Sequence, residues 1–486
     1  MANALANIEP KEVWKNFEEI CQYPHPSRKE DKLAAYIVSW AEKNNFAVEK
    51  DKTGNILISK PATPGMEDRK AIAIQGHIDM VCQKNSDTEF DFDNDAIQAY
   101  VDGDWVKAKG TTLGADNGIG VAMGMTIMES NDIPHPAFEL LCTLDEETGL
   151  TGAMTLSDTF LKADILINLD SEEDGAFTIG CAGGINTDAS FKYEADPVPT
   201  GMKAYEVAIK GLQGGHSGIE IHDGRANALK FLNRLLWTAD KKFDFRISTF
   251  EGGNAHNAIP REAFAVIMIA NDHTEGFEAF IKDFDQKIKV EYTSKEPGIT
   301  AVCATTDMPC RVMTKCFGRR LMNAFYVMPH GVHRMSPDIN GLVQTSTNFS
   351  IVETRDDEIY IVTSQRSSVE SEKYDLANMV RISQELGGAT VKHGDGYPAW
   401  EPNMDSPILK SAKQTYIDLF GKEPVIETIH AGLECGLIGE KYPKMDMLSF
   451  GPNLAEVHTP SEMIQISSTQ KCWKLLLEIV NNIPKK

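Results

Sequence analysis

Three short apolar runs, each breaking off into acidic residues or histidine, constrain this chain more than any other feature. The first is Ala71-Ile72-Ala73-Ile74, followed by Gln75-Gly76-His77-Ile78-Asp79-Met80. The second is Phe138 to Leu144, followed by Asp145-Glu146-Glu147-Thr148-Gly149, and the third is Ile165-Leu166-Ile167-Asn168-Leu169-Asp170. Short apolar runs of this kind fit buried strands. A helix-like stretch to Met128 follows Gly114-Ala115-Asp116-Asn117-Gly118-Ile119-Gly120, and another helical segment follows Gly149. Strands alternating with helices imply an α/β sheet, and such sheets bind ligands at the carboxyl ends of their strands. His77, Glu146, Glu147 and Asp170 all fall there. Residues two apart in an extended segment share a side. His77 and Asp79 can therefore work as a pair, the imidazole holding a metal and the carboxylate fixing its orientation. His-x-Asp recurs often by chance; the acidic tips that follow are what give it weight.

The rest of the chain divides around this core. Helices are expected near 10–22 and 30–45, with a hairpin over 48–60 turning at Thr53-Gly54-Asn55. From about Gly184 the order changes: strand-like pieces near 186–193, 204–211, 245–251 and 263–270 accompany helices near 225–240 and 275–290. A comparable order recurs over 298–395, with helices near 312–327 and 371–387 and strands near 343–353 and 358–365. The reading is an α/β catalytic domain over 1–183 and 397–486, with an inserted α+β lid domain over 184–396 made of two similar halves.

Several function classes can be set aside. The chain has 486 residues and a formal net charge of −23, which argues against a nucleic-acid surface, where a basic stripe is expected. Its nine cysteines include no Cys-x-x-Cys pair and read as free thiols of a reducing cytosol. Met1-Ala2-Asn3-Ala4 opens without a basic, then apolar, leader, and no run is long enough to span a bilayer, so a cytoplasmic protein without a membrane partner is expected. Asp91, Asp93 and Asp95 imitate the start of a calcium loop, but Ala96 stands where glycine is needed and Asp102 where a bidentate Glu is needed. Gly118, Gly120 and Gly124 miss the dinucleotide spacing, and no strand leads directly into them.

The motifs GHIDMVCQKN (76–85), TTLGADNGIG (111–120), LDEETGLTGA (144–153), LINLDSEEDG (166–175), GGHSG (214–218), HAGLECGL (430–437) and VHTPSE (457–462) run along nearly the whole chain. In this order they resemble the zinc-dependent exopeptidases that include carboxypeptidase G and the carnosinase-type dipeptidases. The resemblance implies two zinc ions per chain, for which cobalt or manganese can substitute. It places His77 and Asp170 on one metal, Glu147 and His458 on the other, and Asp116 as a bridge, with a cis Asp116–Asn117 peptide. Asp79 would orient His77 and Glu146 would be the general base, although Asp145 is a rival that spacing alone does not dismiss. Imidazole and carboxylate are ordinary zinc ligands, and a bridging carboxylate suits a metal pair sharing one water. Two zinc ions, three carboxylates and a hydroxide are together neutral, which avoids a large buried charge.

The same resemblance implies a small peptide as substrate and hydrolysis of Xaa-His and related dipeptides. Arg366 would bind the substrate's C-terminal carboxylate, for which a guanidinium is suited; Asn257 and Gly432 are further candidates. His216 would swing in from the lid to donate to the oxyanion, within its own chain or across a homodimer. His222, His256, His330, His333 and His393 read as structural. A tripeptidase or N-acyl amino acid deacylase on the same site is the nearest alternative, and a non-catalytic binding protein of this fold is the alternative from another class.

Overall fold

The structure is a computed structural model that describes residues 4–486; Met1, Ala2 and Asn3, on which the reading of the chain start partly rested, lie outside them. It divides into two compact units. The first comprises 4–181, 400–428 and 433–486; the second comprises 182–399 and 429–432. The sequence reading drew the insertion as 184–396 and left 429–432, with Gly432, in the closing section.

The first unit is built on a mixed eight-stranded sheet in the order Ala47–Lys50, Ile56–Lys60, Phe138–Thr143, Ile72–His77, Ile165–Asn168, Asp446–Ser449, Ala176–Cys181, Val425–Ile429. The strands Ile72–His77, Phe138–Thr143, Ile165–Asn168 and Asp446–Ser449 lie parallel to their neighbours within this central group. Every residue of Ile72–His77, Phe138–Thr143 and Ile165–Asn168 is buried, which is why these strands read as unbroken apolar runs instead of alternating ones. Their carboxyl ends lie in register, with His77 opposite Thr143 and Gln75 opposite Asn168, so the three polar tips emerge along one edge. Helices Lys11–Ile20, Asp31–Lys43, Ala115–Glu129, Pro407–Phe420 and Ile466–Asn481 supply apolar faces to the same core. A small antiparallel sheet, in the order Leu454–Ala455, Met463–Gln465, Trp105–Ala108, Ala99–Asp102, completes the unit.

The second unit carries a nine-stranded antiparallel sheet. Strand, helix, strand, strand, helix runs over Met202–Lys210, Ala228–Ala239, Phe245–Gly252, Ala263–Ala270 and Thr274–Tyr292. The order recurs in Arg311–Met313, Lys315–Val327, Val343–Thr354, Glu358–Ser367 and Glu370–Glu385, with Gly331–Met335 added as an extra strand beside Val343–Thr354. Arg311–Met313, however, pairs outside the large sheet with Ala195–Pro197. The place beside Glu358–Ser367 is taken by Gly183–Lys192, from before the first half. The halves meet where Phe245–Gly252 adjoins Val343–Thr354.

Candidate metal centre and its surroundings

His77, Asp79, Asp116, Glu146, Glu147, Asp170 and His458 all belong to the first unit. Asp116 stands at the centre of the group. Its Oδ1 lies 3.1 Å from His77 Nε2, and its Oδ2 lies 3.1 Å from His458 Nε2. His77 Nε2 is also 3.5 Å from Asp170 Oδ1, and His458 Nε2 is 3.0 Å from Glu147 Oε2. Each oxygen of Asp116 therefore faces its own histidine–carboxylate pair. His77, Asp116 and Asp170 form one set able to hold a cation, and Asp116, Glu147 and His458 form another. The Asp116–Asn117 peptide is cis. Glu147 Oε1 is buried without a hydrogen-bond partner, and Asp170 Oδ1 is buried with only the 3.5 Å approach of His77. Leaving such groups unmet is costly, and a cation at each set would meet that demand. The donors, imidazole nitrogen and carboxylate oxygen, suit zinc and equally cobalt or manganese. The residues fit a pair of divalent ions.

Charge and burial compete throughout the group. Burial alone would depress the His77 imidazole, but the carboxylates of Asp170, Asp116 and Asp79 overrule it and hold its pKa well above the usual value. His458, half-exposed, is lifted to about 11 by its hydrogen bonds to Asp116 and Glu147. Burial raises Asp170 to about 7 and raises Glu147, and it pushes Glu146 well above the ordinary carboxylate range. For Asp116 burial acts upward too, yet the two histidines win and hold it far below that range.

Asp79 contacts more than the His77 ring. The ring Nδ1–H of His77 donates to the Asp79 carbonyl at 3.0 Å, while the carboxylate Oδ1 stands 3.4 Å from the same nitrogen. That carboxylate also accepts from the backbone N–H of Glu146 at 2.9 Å and of Glu147 at 3.2 Å, and from Ser27 Oγ at 2.8 Å. One buried side chain thus fixes both the histidine and the turn bearing the two glutamates. The rival Asp145 is committed elsewhere: it accepts from the hydroxyls of Thr148 and Thr151 and from Arg28 Nε at 3.4 Å. It also sits at the left-handed φ of 50° that starts the short helix Glu146–Gly149.

The second unit holds His216, Asn257, Arg366 and Gly432. Arg366 lies in the strand Glu358–Ser367, 8% exposed; it donates to Tyr397 Oη at 2.7 Å, and its Nε is buried without a partner. The Tyr397 ring leaves no room for a side chain at Gly432, where a Cβ would come within 2.8 Å of it. His216 Nδ1 accepts from the N–H of Gly218 at 3.3 Å and of Ile219 at 3.1 Å, which leaves the ring proton on Nε2. Burial, and then the nearby Arg366, lower its pKa, which favours the neutral imidazole. Asn257 is exposed, and its carbonyl accepts from Ser217 N–H at 2.8 Å. Sequence reading passed over His430, which is buried with Nε2 2.7 Å from Ser346 Oγ and belongs to the same unit as Arg366. It also passed over Glu434 and Glu462, two buried carboxylates inside quoted motifs, because neither stands at a strand tip. Among the described residues, His222, His256, His330, His333 and His393 join no metal-competent group, and all nine cysteines are free thiols.

The chain matches peptidase family M20/M25/M40 over residues 73–482, and it belongs to that family. It is 43% identical over 485 residues to the cytosol non-specific dipeptidase of Escherichia coli K12, covering 99% of both chains. The crystal structure of aminoacylhistidine dipeptidase from Vibrio alginolyticus superposes with a TM-score of 0.93 at 41% identity, covering 99% of this chain and 98% of that one. The fold alone is shared with an aminopeptidase from Bacillus cereus, at a TM-score of 0.57, 15% identity and coverage of 98% and 99%. The fold class drawn from the sequence stands, as does its kinship with the dipeptidases. Among the described residues no helix is long and apolar enough to cross a membrane.

Proposed function

We propose that this metallopeptidase is a cytosolic dipeptidase that hydrolyses Xaa-His and related dipeptides at a two-metal site. His77 and Asp170 would hold one ion and Glu147 and His458 the other, with Asp116 common to both sets. The observation that carries this reading is Asp116, whose two oxygens face separate histidine–carboxylate pairs. Zinc ions bound there would supply an acidified water and a polarised scissile carbonyl.

The chain's own residues do the rest. Glu146 takes the proton of the attacking water on its carboxylate and delivers it to the leaving amine nitrogen. Burial raises its proton affinity, which favours acceptance of that proton. No hydrogen bond engages its carboxylate among the described residues, whereas Asp145 is held by Arg28 and two threonines. Asp79 holds the Glu146 backbone and the His77 ring in one frame. Arg366, with an unpartnered Nε, binds the substrate's C-terminal carboxylate, assisted by Asn257 and Gly432. His216 offers its Nε2–H to the oxyanion. Residues 184–396 are assigned the part of a lid.

We assign His216 to act within its own chain. A mixture of His216→Ala and Glu146→Gln subunits, left to exchange, then stays inactive; recovered activity would show donation across a homodimer. The substrate is tested by offering Ala-His, other dipeptides, a tripeptide and an N-acetyl amino acid to zinc-loaded protein. Dipeptides are expected to turn over fastest. Preference for the tripeptide or the acylated amino acid would move the activity to a sister hydrolase.

A further inference from the structure

Glu462 is 3% exposed, and its carboxylate accepts from four consecutive backbone N–H groups. Oε2 takes those of Leu113 at 2.7 Å and Gly114 at 3.1 Å; Oε1 takes those of Ala115 at 2.9 Å and Asp116 at 3.5 Å. These N–H groups form the turn into helix Ala115–Glu129, where Gly114 lies at a left-handed φ of 70°. A carboxylate offers about four acceptor positions, and here each has a donor.

Glu462 also ends the loop between Leu454–Ala455 and Met463–Gln465, the loop that presents His458. Two non-glycine residues of that loop, Glu456 at φ 54° and His458 at φ 62°, are left-handed. Such backbone persists only where its surroundings hold it. Met463–Gln465 pairs in turn with Trp105–Ala108, the strand that leads towards the Asp116 turn. Glu462 thus stands where the two segments part, and it ties one to the other through a single side chain.

We infer that Glu462 is a positioning residue: it sets Asp116 relative to His458, and with them the affinity of the site for its ions. The inference rests on Asp116 and His458 being ligands. Glutamine at 462 would keep one acceptor oxygen and turn an NH2 group towards two backbone N–H groups, pulling the Asp116 turn out of place.

The test uses full-length protein stripped with a chelator and titrated with zinc against a chromogenic competitor, with a melting curve for each variant. Glu462→Gln is expected to melt as a folded protein yet bind zinc about 10–100-fold more weakly. Its kcat at limiting zinc should fall with little change in KM, and excess zinc should restore much of it, which a general loss of structure would not allow. Wild-type zinc affinity in a folded Glu462→Gln overturns the inference. Should that variant not fold, Glu462→Asp decides, since it keeps the charge but withdraws the oxygens by one methylene. An intermediate loss of affinity supports the inference; wild-type affinity, or failure to fold, overturns it. Asp116→Asn separates the two layers. If it loses zinc while Glu462→Gln does not, only the positioning role fails; if it keeps both ions, the ligand assignment fails and the inference falls with it.

Discussion

The proposed mechanism gives the adjacent Glu146 and Glu147 different work, and substitution should separate them. Glu146→Gln is expected to keep both ions and lose about 10²–10⁴ in kcat, the usual worth of a general base. Glu147→Gln should lose metal affinity first. Metal analysis beside kinetics checks both, and exchanged phenotypes would mean that the two roles are reversed. His430 gives a prediction for stability. Burial, then Arg366, His222 and His216, lower its pKa to about 3, against 6.5 for an ordinary histidine. Between those values the unfolded chain binds a proton that the folded chain does not, so stability rises with pH and is lost as pH falls from about 6.5 towards 3. One such proton contributes a slope of about 1.4 kcal/mol per pH unit. Denaturant unfolding of His430→Gln from pH 7 to 4 should be flatter than wild type by about that slope; equal slopes would place the titration elsewhere. At this scale the sequence was legible where position follows strand geometry: His77 ends one buried strand and Glu147 lies just beyond another. Asp79's grip on the glutamate turn, and the capture of Asp145 by Arg28, depend on contacts across about 67 and 117 residues that no local pattern encodes.

The helix Ala115–Glu129 shows what its glycines are for. They follow no nucleotide spacing; each is a point of close approach. A Cβ on Gly118 would meet the Phe17 ring at 3.2 Å, one on Gly124 would meet Leu140 Cδ1 at 2.4 Å, and one on Gly120 would come within 2.8 Å of the Leu169 carbonyl. Leu169 directly precedes Asp170, and its carbonyl also accepts from Asn117 Nδ2 at 2.6 Å. Gly120→Ala is therefore expected to cost about 1–3 kcal/mol, as overpacking of a tight core does, and to weaken metal binding through Asp170. Calorimetry and zinc titration of the variant check this; an unchanged melting temperature would show that the seam can relax. The strands were legible because full burial writes itself as apolar runs. The seam was not, because a glycine's neighbour across a helix–sheet interface leaves no trace in local sequence.

For the molecule as a whole, the recurrence of strand, helix, strand, strand, helix in the second unit could be read from the sequence. The exchange that completes it could not: Gly183–Lys192 takes the place beside Glu358–Ser367 while Arg311–Met313 pairs elsewhere, a choice of partners that hydrophobic pattern does not specify. Gly432 belongs by its contacts to the unit of Arg366 and Tyr397, though residues 400–428 of the other unit separate it from them in the chain. In the proposed mechanism one carboxylate, Asp116, is shared by two metal sites that together make a dipeptidase. The most direct measurement strips the protein with a chelator, restores zinc stepwise, and follows hydrolysis of Ala-His against bound metal. Activity should vanish on stripping and return as about two zinc ions bind per chain, and Asp116→Asn should abolish that return. Full turnover in verified metal-free protein, or undiminished recovery in Asp116→Asn, would contradict the account.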